Sequence, residues 1–283
     1  MQTPTRMYLS KNRHQLSMLA LLCAWLGIFP SCTSSTNNAA PLPSSTWGEK
    51  YAYNYDTSRM EKNAPGSIPV NVAVVNPYYR DAESVLTNAL FSSVGKGFST
   101  SMGNDLDKIL IAKGMTTTGP FPSLDEITYS EKKNAALTLA PRVFIGAEIK
   151  YDGELHPVAR DVGTTMERNF TMNITGWISF IMQEPLSGEK MWIKKLELEP
   201  VKVSGVEIYE AMAQYRADGC GGQALVGYSP TAKNLYMGQT EAMANALKQL
   251  YPVVLSKFEK FLDGDEMVAL KAKGQEIRAL KVY

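Results

Sequence analysis

A chain of 283 residues, 45% hydrophobic and 20% charged, has the balance of a globular protein, which excludes a disordered, collagenous or polytopic membrane chain. Its 29 basic and 28 acidic side chains give a net charge of +1, without the concentrated positive surface of a nucleic-acid binder. His14 and Cys23 lie in an N-terminal segment, so only His156, Cys32 and Cys220 remain for the working protein, too few for a Cys/His zinc site or a disulfide framework.

The first 31 residues read as an address. Arg6, Lys11, Arg13 and His14 precede an apolar run from Leu16 to Phe29. That run, about 14 residues, is a signal-peptide core and too short for a membrane span of about 20. Phe29-Pro30-Ser31-Cys32 follows it and resembles a bacterial lipobox, in which Cys32 becomes the acylated N-terminus. Phe29 and Pro30 depart from the usual residues of that motif. Each buried CH₂ contributes about 0.8 kcal/mol, so several acyl chains would hold the protein to a bilayer. Thr33, where an aspartate would retain the protein at the inner membrane, favours the outer membrane. Without the leader the chain carries 26 basic and 28 acidic groups. Residues 33–47, rich in Ser, Thr, Asn and Pro, read as a flexible tether within a lipidated segment covering 32–50. Such a coil spans about 20 Å on average and about 50 Å when pulled straight.

The remainder is predicted to be one α+β domain over 51–264, an antiparallel or mixed sheet backed by long helices, with a charged helical tail over 265–283. Tyr51, Tyr53 and Tyr55 alternate as in an edge strand. Ile68–Val75 reads as a buried strand broken by Asn76-Pro77. From Asp81 to Lys113 an apolar stripe of Leu86, Leu90, Val94, Phe98, Met102, Leu106 and Leu110 predicts a helix closed by Gly114. Gly95, Gly97 and Gly103 interrupt that stripe and suit a bend. Met115–Gly119 reads as a short strand, and Ser123 with Glu126 as a capping box opening a helix to Asn134. Long strands follow over Ala136–Tyr151, Met166–Gln183 and Met191–Val203, the last two joined by a hairpin turn at Leu186-Ser-Gly188-Glu189. Glu207–Tyr215 is assigned to a helix and Asp218–Gly222 to a loop. Gln239–Asp263 is a helix with Pro252 inside it.

Motifs for chemistry are scarce. Ser93-x-x-Lys96 and Ser130-x-x-Lys133 match a Ser/Lys spacing without the partner motifs that give it meaning. Gly95-Lys96-Gly97 lacks the spacing of a phosphate loop. Cys220 and His156 form the one thiol–imidazole combination, with no orienting acid in view. The reading is therefore a non-enzyme with no cofactor and no metal site.

The stretch from Gly176 to Glu189, GWISFIMQEPLSGE, resembles the corresponding hairpin of the neuraminyllactose-binding hemagglutinin family, Helicobacter-type lipoprotein adhesins. Asn54-Tyr55 with Glu61-Lys62, Lys113-Gly114 at the end of the first long helix, Glu131-Lys132-Lys133, and the final helix with its lysine-rich tail fall in the same order. The likeness covers roughly 51–264 and the lipobox. It implies an outer-membrane or flagellar-sheath lipoprotein, exposed at the cell surface, with affinity for sialylated glycans. The family's basic segment after the third strand has no counterpart. Asp152–Gly163 stands in its place, and Arg160 is the one residue there suited to a sialic-acid carboxylate. The expected role is accordingly structural or protein-interacting, with envelope or flagellar proteins as partners beside the bilayer held by Cys32. A surface adhesin for sialylated glycans is the alternative.

Overall fold

A computed structural model describes residues 51–79, 84–160, 163–217 and 222–281. Cys32, Cys220 and the side chain of Arg160 lie outside the described residues. The described chain is an eight-stranded mixed sheet with four α-helices, the α+β class read from the sequence.

Strand β1, Asn71–Val75, has a parallel partner on each side. Its period-2 side chains serve two layers: Val72 and Val74 enter the main core, while Ala73 and Val75 join a smaller cluster with Ile127, Ala135 and Ala140 on the opposite face. β2 is Tyr78–Tyr79. Helix α1 spans Ser92–Ala112, preceded by a 3₁₀ turn at Val85–Thr87, so the apolar stripe is split where a single helix was predicted. Gly114 ends α1 at φ +92°, with Met115 N–H donating to Leu110 and Gly114 N–H to Ile111, the bond pattern that closes a helix on a left-handed residue.

β3, Thr116–Phe121, pairs parallel to β1. The predicted capping box is displaced: Ser123 makes no side-chain cap, and Thr128 and Glu131 form the box that opens α2, Tyr129–Asn134. Both pairs fit the same sequence spacing, and Ile127, buried in the smaller cluster, anchors the chain just before the working cap. Pro141 falls between β4, Leu137–Leu139, and β5, Arg142–Arg160.

β6, Gly163–Gln183, organises the sheet. Antiparallel β5 and then β4 line one of its edges, and β7, Lys190–Ala217, lines the other. β1 and β3 continue beyond β4, and β8, Gln223–Met237, lies outside β7. Helix α3, Gly238–Phe261, carries Pro252 within it and packs with α1 on the sheet face formed by Phe170, Met172, Ile174, Ile178 and Phe180. Helix α4, Gly264–Leu280, places Met267 and Leu270 in that core.

The alternation of Tyr51, Tyr53 and Tyr55 is real, but it does not belong to a strand. Tyr53 N–H donates to Ser101 Oγ (3.0 Å) and Tyr55 N–H to Asp105 Oδ2 (2.9 Å), so side chains of α1 take the role of a partner strand. Glu207–Tyr215, assigned to a helix, is instead a continuation of β7, paired with β6 and β8. Its Ile208, Ala211 and Tyr215 recur at helical spacing, and pairing with two strand partners overrides that local signal.

The β6–β7 turn is built as predicted, with Gly188 at φ +68°, and is closed by a buried carboxylate. Glu184 accepts from Leu186 N–H (3.1 Å), Ser187 N–H (2.5 Å) and Arg278 Nε (2.6 Å). Burial alone would raise this carboxyl, but the Ser187, Arg278 and Leu186 donors outweigh it and hold it below the ordinary glutamate value. A carboxyl depressed in the fold adds stability above its unfolded value, about 4.3, and loses it as pH falls through the folded value. Urea midpoints measured from pH 7 down to about pH 3 are expected to fall more steeply for the native sequence than for Glu184→Gln.

Candidate functional site

Four strands run on past the helical layer. α3 begins directly after β8, and from there it covers β6 and β7. Beyond it lie 152–169 of β5 and β6, 206–217 of β7, and β8. At about 3.3 Å per residue, the stretch of β7 from Val206 to Ala217 extends about 40 Å. This arm holds most of the residues singled out for chemistry. His156 is exposed on β5, opposite Glu167 of β6. Arg160 ends β5, its backbone paired with Gly163 at the tip of the first hairpin. Cys220 belongs to the segment joining β7 to β8, outside the described residues. Arg160 and His156 thus share a strand.

The base of the arm is locked by one carboxylate. Glu207 is 3% exposed and accepts from Arg168 Nη2 (2.9 Å), Tyr151 OH (3.2 Å) and Tyr209 OH (3.2 Å), and from the amide of Gln239 at the start of α3. Arg168 also lies over the Tyr151 ring, 3.5 Å from its centroid. The hydrogen bond to Glu207 raises the Arg168 guanidinium above its ordinary value, and burial followed by the adjoining charge raises the Tyr151 and Tyr209 phenols. Glu207→Gln keeps the shape and removes the charge. It is expected to cost about 1–2 kcal/mol, read from the urea midpoint.

Beyond that lock the arm has two unlike faces. The register places Met166 beside Pro157 and Tyr209, Ala211 beside Pro230, Ala213 beside Tyr228, and Tyr215 beside Leu225, a face without charge at these paired positions. The other face carries His156, Glu167, Glu210, Gln214 and Arg216. Large apolar side chains concentrate on the outer hairpin: Met212 is 55%, Tyr215 60%, Leu225 49% and Val226 59% exposed. Tyr215 and Leu225 pair on the uncharged face, whereas Met212 stands on the other face beside Ser229. Two large apolar side chains exposed side by side on an uncharged face mark a contact surface.

A second feature is an open depression of about 450 Å³ between β2 and α1, lined by Asn76, Tyr78, Tyr79, Lys96, Ser99 and Thr100. Arg142 donates to Tyr78 OH and lies 5.3 Å from that ring's centroid. Lys96, met above in an uninformative Ser/Lys spacing, is exposed at its rim. Among the described residues no group of three or more His, Cys, Asp and Glu could hold a metal ion, and no helix is long and apolar enough to cross a membrane.

The arm is not legible in the sequence as a unit. In β8 Gly227, Pro230 and three irregularities of register interrupt the alternation, and in β7 the helical spacing from Glu207 hides the continuation of the strand past Val203. The signal that could have found it is the turn residues Asp218–Gly222 between two stretches of similar length.

No protein-family model matches this sequence, and neither does any curated protein. Among solved structures, a Helicobacter pylori protein described as a neuraminyllactose-binding hemagglutinin homologue is similar with a TM-score of 0.50 and 17% identity, over 80% of this chain and 99% of that one. Lipoprotein GNA1162 of Neisseria meningitidis matches at TM-score 0.23 and 12% identity over 47% of this chain and 84% of its own. Protein CT253 of Chlamydia trachomatis matches at 0.24 and 10% over 67% and 95%. The likeness to the Helicobacter protein is one of fold.

Proposed function

We propose that this chain is a lipid-anchored envelope protein without catalytic activity, working through protein contact on the four-stranded arm. The observation that carries this reading is the outer hairpin: a face without charge at its paired positions, Tyr215 and Leu225 exposed side by side on it, and no helix over them among the described residues. Acylation of Cys32 would fix the chain to the outer membrane, at the cell surface or flagellar sheath, and the tether would leave the arm free to meet envelope or flagellar proteins. A photo-crosslinking residue at Tyr215 or Leu225 in intact cells is the test. It should yield protein adducts that the same residue at Val253, 53% exposed on α3, does not. Absence of adducts at both arm positions overturns the reading. Cys32→Ser should also release the protein from the membrane fraction.

The depression beside Lys96 favours a second reading. An aromatic wall, hydroxyls, a carboxamide and one cation are the groups that hold an acidic sugar. This would make the chain an adhesin for sialylated glycans. Saturable binding of sialyllactose and not lactose, lost in Lys96→Ala, would support it. Binding lost in Arg160→Ala instead would move the site to the arm.

A further inference from the structure

We propose that the arm joins copies of this chain edge to edge, β8 of one copy adding antiparallel to β5 of the next. The inference rests on the arm being the contact surface and names its partner. Across the arm the order is β5-β6-β7-β8, and both outer edges are open among the described residues. β5 meets β2 only at Arg142 and Val143, and β8 pairs with β7 alone. Unpaired strand edges present rows of N–H and C=O groups that template another strand.

Three features fit a second copy of the same chain. β5 and β7 run one way and β6 and β8 the other, so β8 meets a neighbouring β5 with antiparallel polarity. β8 has 15 residues, about the length of β5 left open beyond Val143. The faces also agree. Ala159, beside Thr164, and Pro230, beside Ala211, lie at one level on the uncharged face, so a joined sheet keeps its apolar and polar sides continuous. Pro157 and Pro230 each remove one edge donor and leave the rest of the edge intact. The two edges differ, which makes the contact head-to-tail: it repeats until the strands close into a ring or extend as a filament.

The test is the mass of the full lipidated chain in detergent, by sedimentation. The native sequence should sediment as several protomers of the processed, acylated chain. Ala159 and Pro230 are both exposed, so charges there leave the core untouched. Ala159→Lys with Pro230→Lys sets like charges across the joint and should reduce the assembly to one protomer. Ala159→Lys with Pro230→Glu should restore it. Circular dichroism and urea midpoints confirm that each variant is folded. A single-protomer native chain, an assembly indifferent to the lysine pair, or a loss not restored by the Lys/Glu pair each overturns the proposal. Arm adducts to other envelope proteins in cells, with a single-protomer purified chain, would overturn self-pairing while leaving the arm as the contact surface. No arm adducts at all would remove both.

Discussion

Asp105→Ala is expected to lower folding stability by about 3–4 kcal/mol, read as a shift of the urea midpoint with an unchanged slope. Asp105 is 2% exposed on the sheet side of α1. It accepts from Tyr251 OH of α3 (2.8 Å), Tyr55 N–H (2.9 Å) and Lys108 Nζ (2.7 Å). The lysine contact is surface-exposed and contributes little. The other two tie three separate segments to one carboxylate, and truncation leaves a buried hydroxyl and a backbone N–H without an acceptor. Burial, followed by the charge of Asp105, already raises the Tyr251 phenol well above its ordinary value, so the hydroxyl is a donor at every working pH. Tyr251→Phe should cost about 1 kcal/mol, and the double variant clearly less than the sum of the two. Strict additivity would show that the two side chains do not act together.

Gly176→Val should cost about 3 kcal/mol or more, through steric overlap and not through lost contacts. A Cβ at Gly176 would stand 2.2 Å from the carbonyl oxygen of Phe144 and 3.2 Å from the Cα of Ile145. Both belong to the backbone of β5, which cannot swing aside as a side chain does. Gly176 also lies where the pairing of β6 with β7 slips, between Ile174↔Val201 and Gly176↔Leu198. Gly227→Ala is the control: no atom lies within 4 Å of its Cβ position, and the change should stay within about 0.5 kcal/mol. Equal effects at the two glycines would remove the steric account.

Where one physical signal dominated, the sequence was legible. The strand at Asn71–Val75, the Gly114 stop, the Gly188 turn and α3 follow from apolar period, left-handed glycine and strand propensity acting together. Legibility failed where tertiary partners arbitrate. Tyr51–Tyr55 alternates as a strand does, yet its hydrogen bonds go to Ser101 and Asp105, about 50 residues away and not recognisable as acceptors in advance. Glu207 looked like an ordinary helix-surface glutamate. Only β6 pairing brings Arg168 and Tyr151 to it, and only the end of β8 brings Gln239. Of the two residues assigned a site, Cys32 lies outside the described residues and Arg160 is placed by its backbone alone, paired with Gly163 where β5 turns into β6. The three glycines read as a bend in α1 have another purpose at two positions. A Cβ would meet the backbone of Leu86 at Gly95 and of Tyr51 at Gly97, so these positions admit neighbouring chain against the helix.

The clamp at Arg278 bears on how the chain is made. Besides Glu184, this guanidinium donates to the carbonyls of Lys132 (3.3 Å), Lys133 (3.0 Å) and Ala135 (2.6 Å), which close α2. Arg278 follows Glu184 by 94 residues. A polypeptide emerging N-terminus first therefore carries the turn's carboxylate through the synthesis of β7, β8, α3 and most of α4 before its cation arrives. Until then the turn is better left in water, and α2 lacks its closing donors. Closure of the turn and of the end of α2 therefore waits until α4 has been made and folded against them.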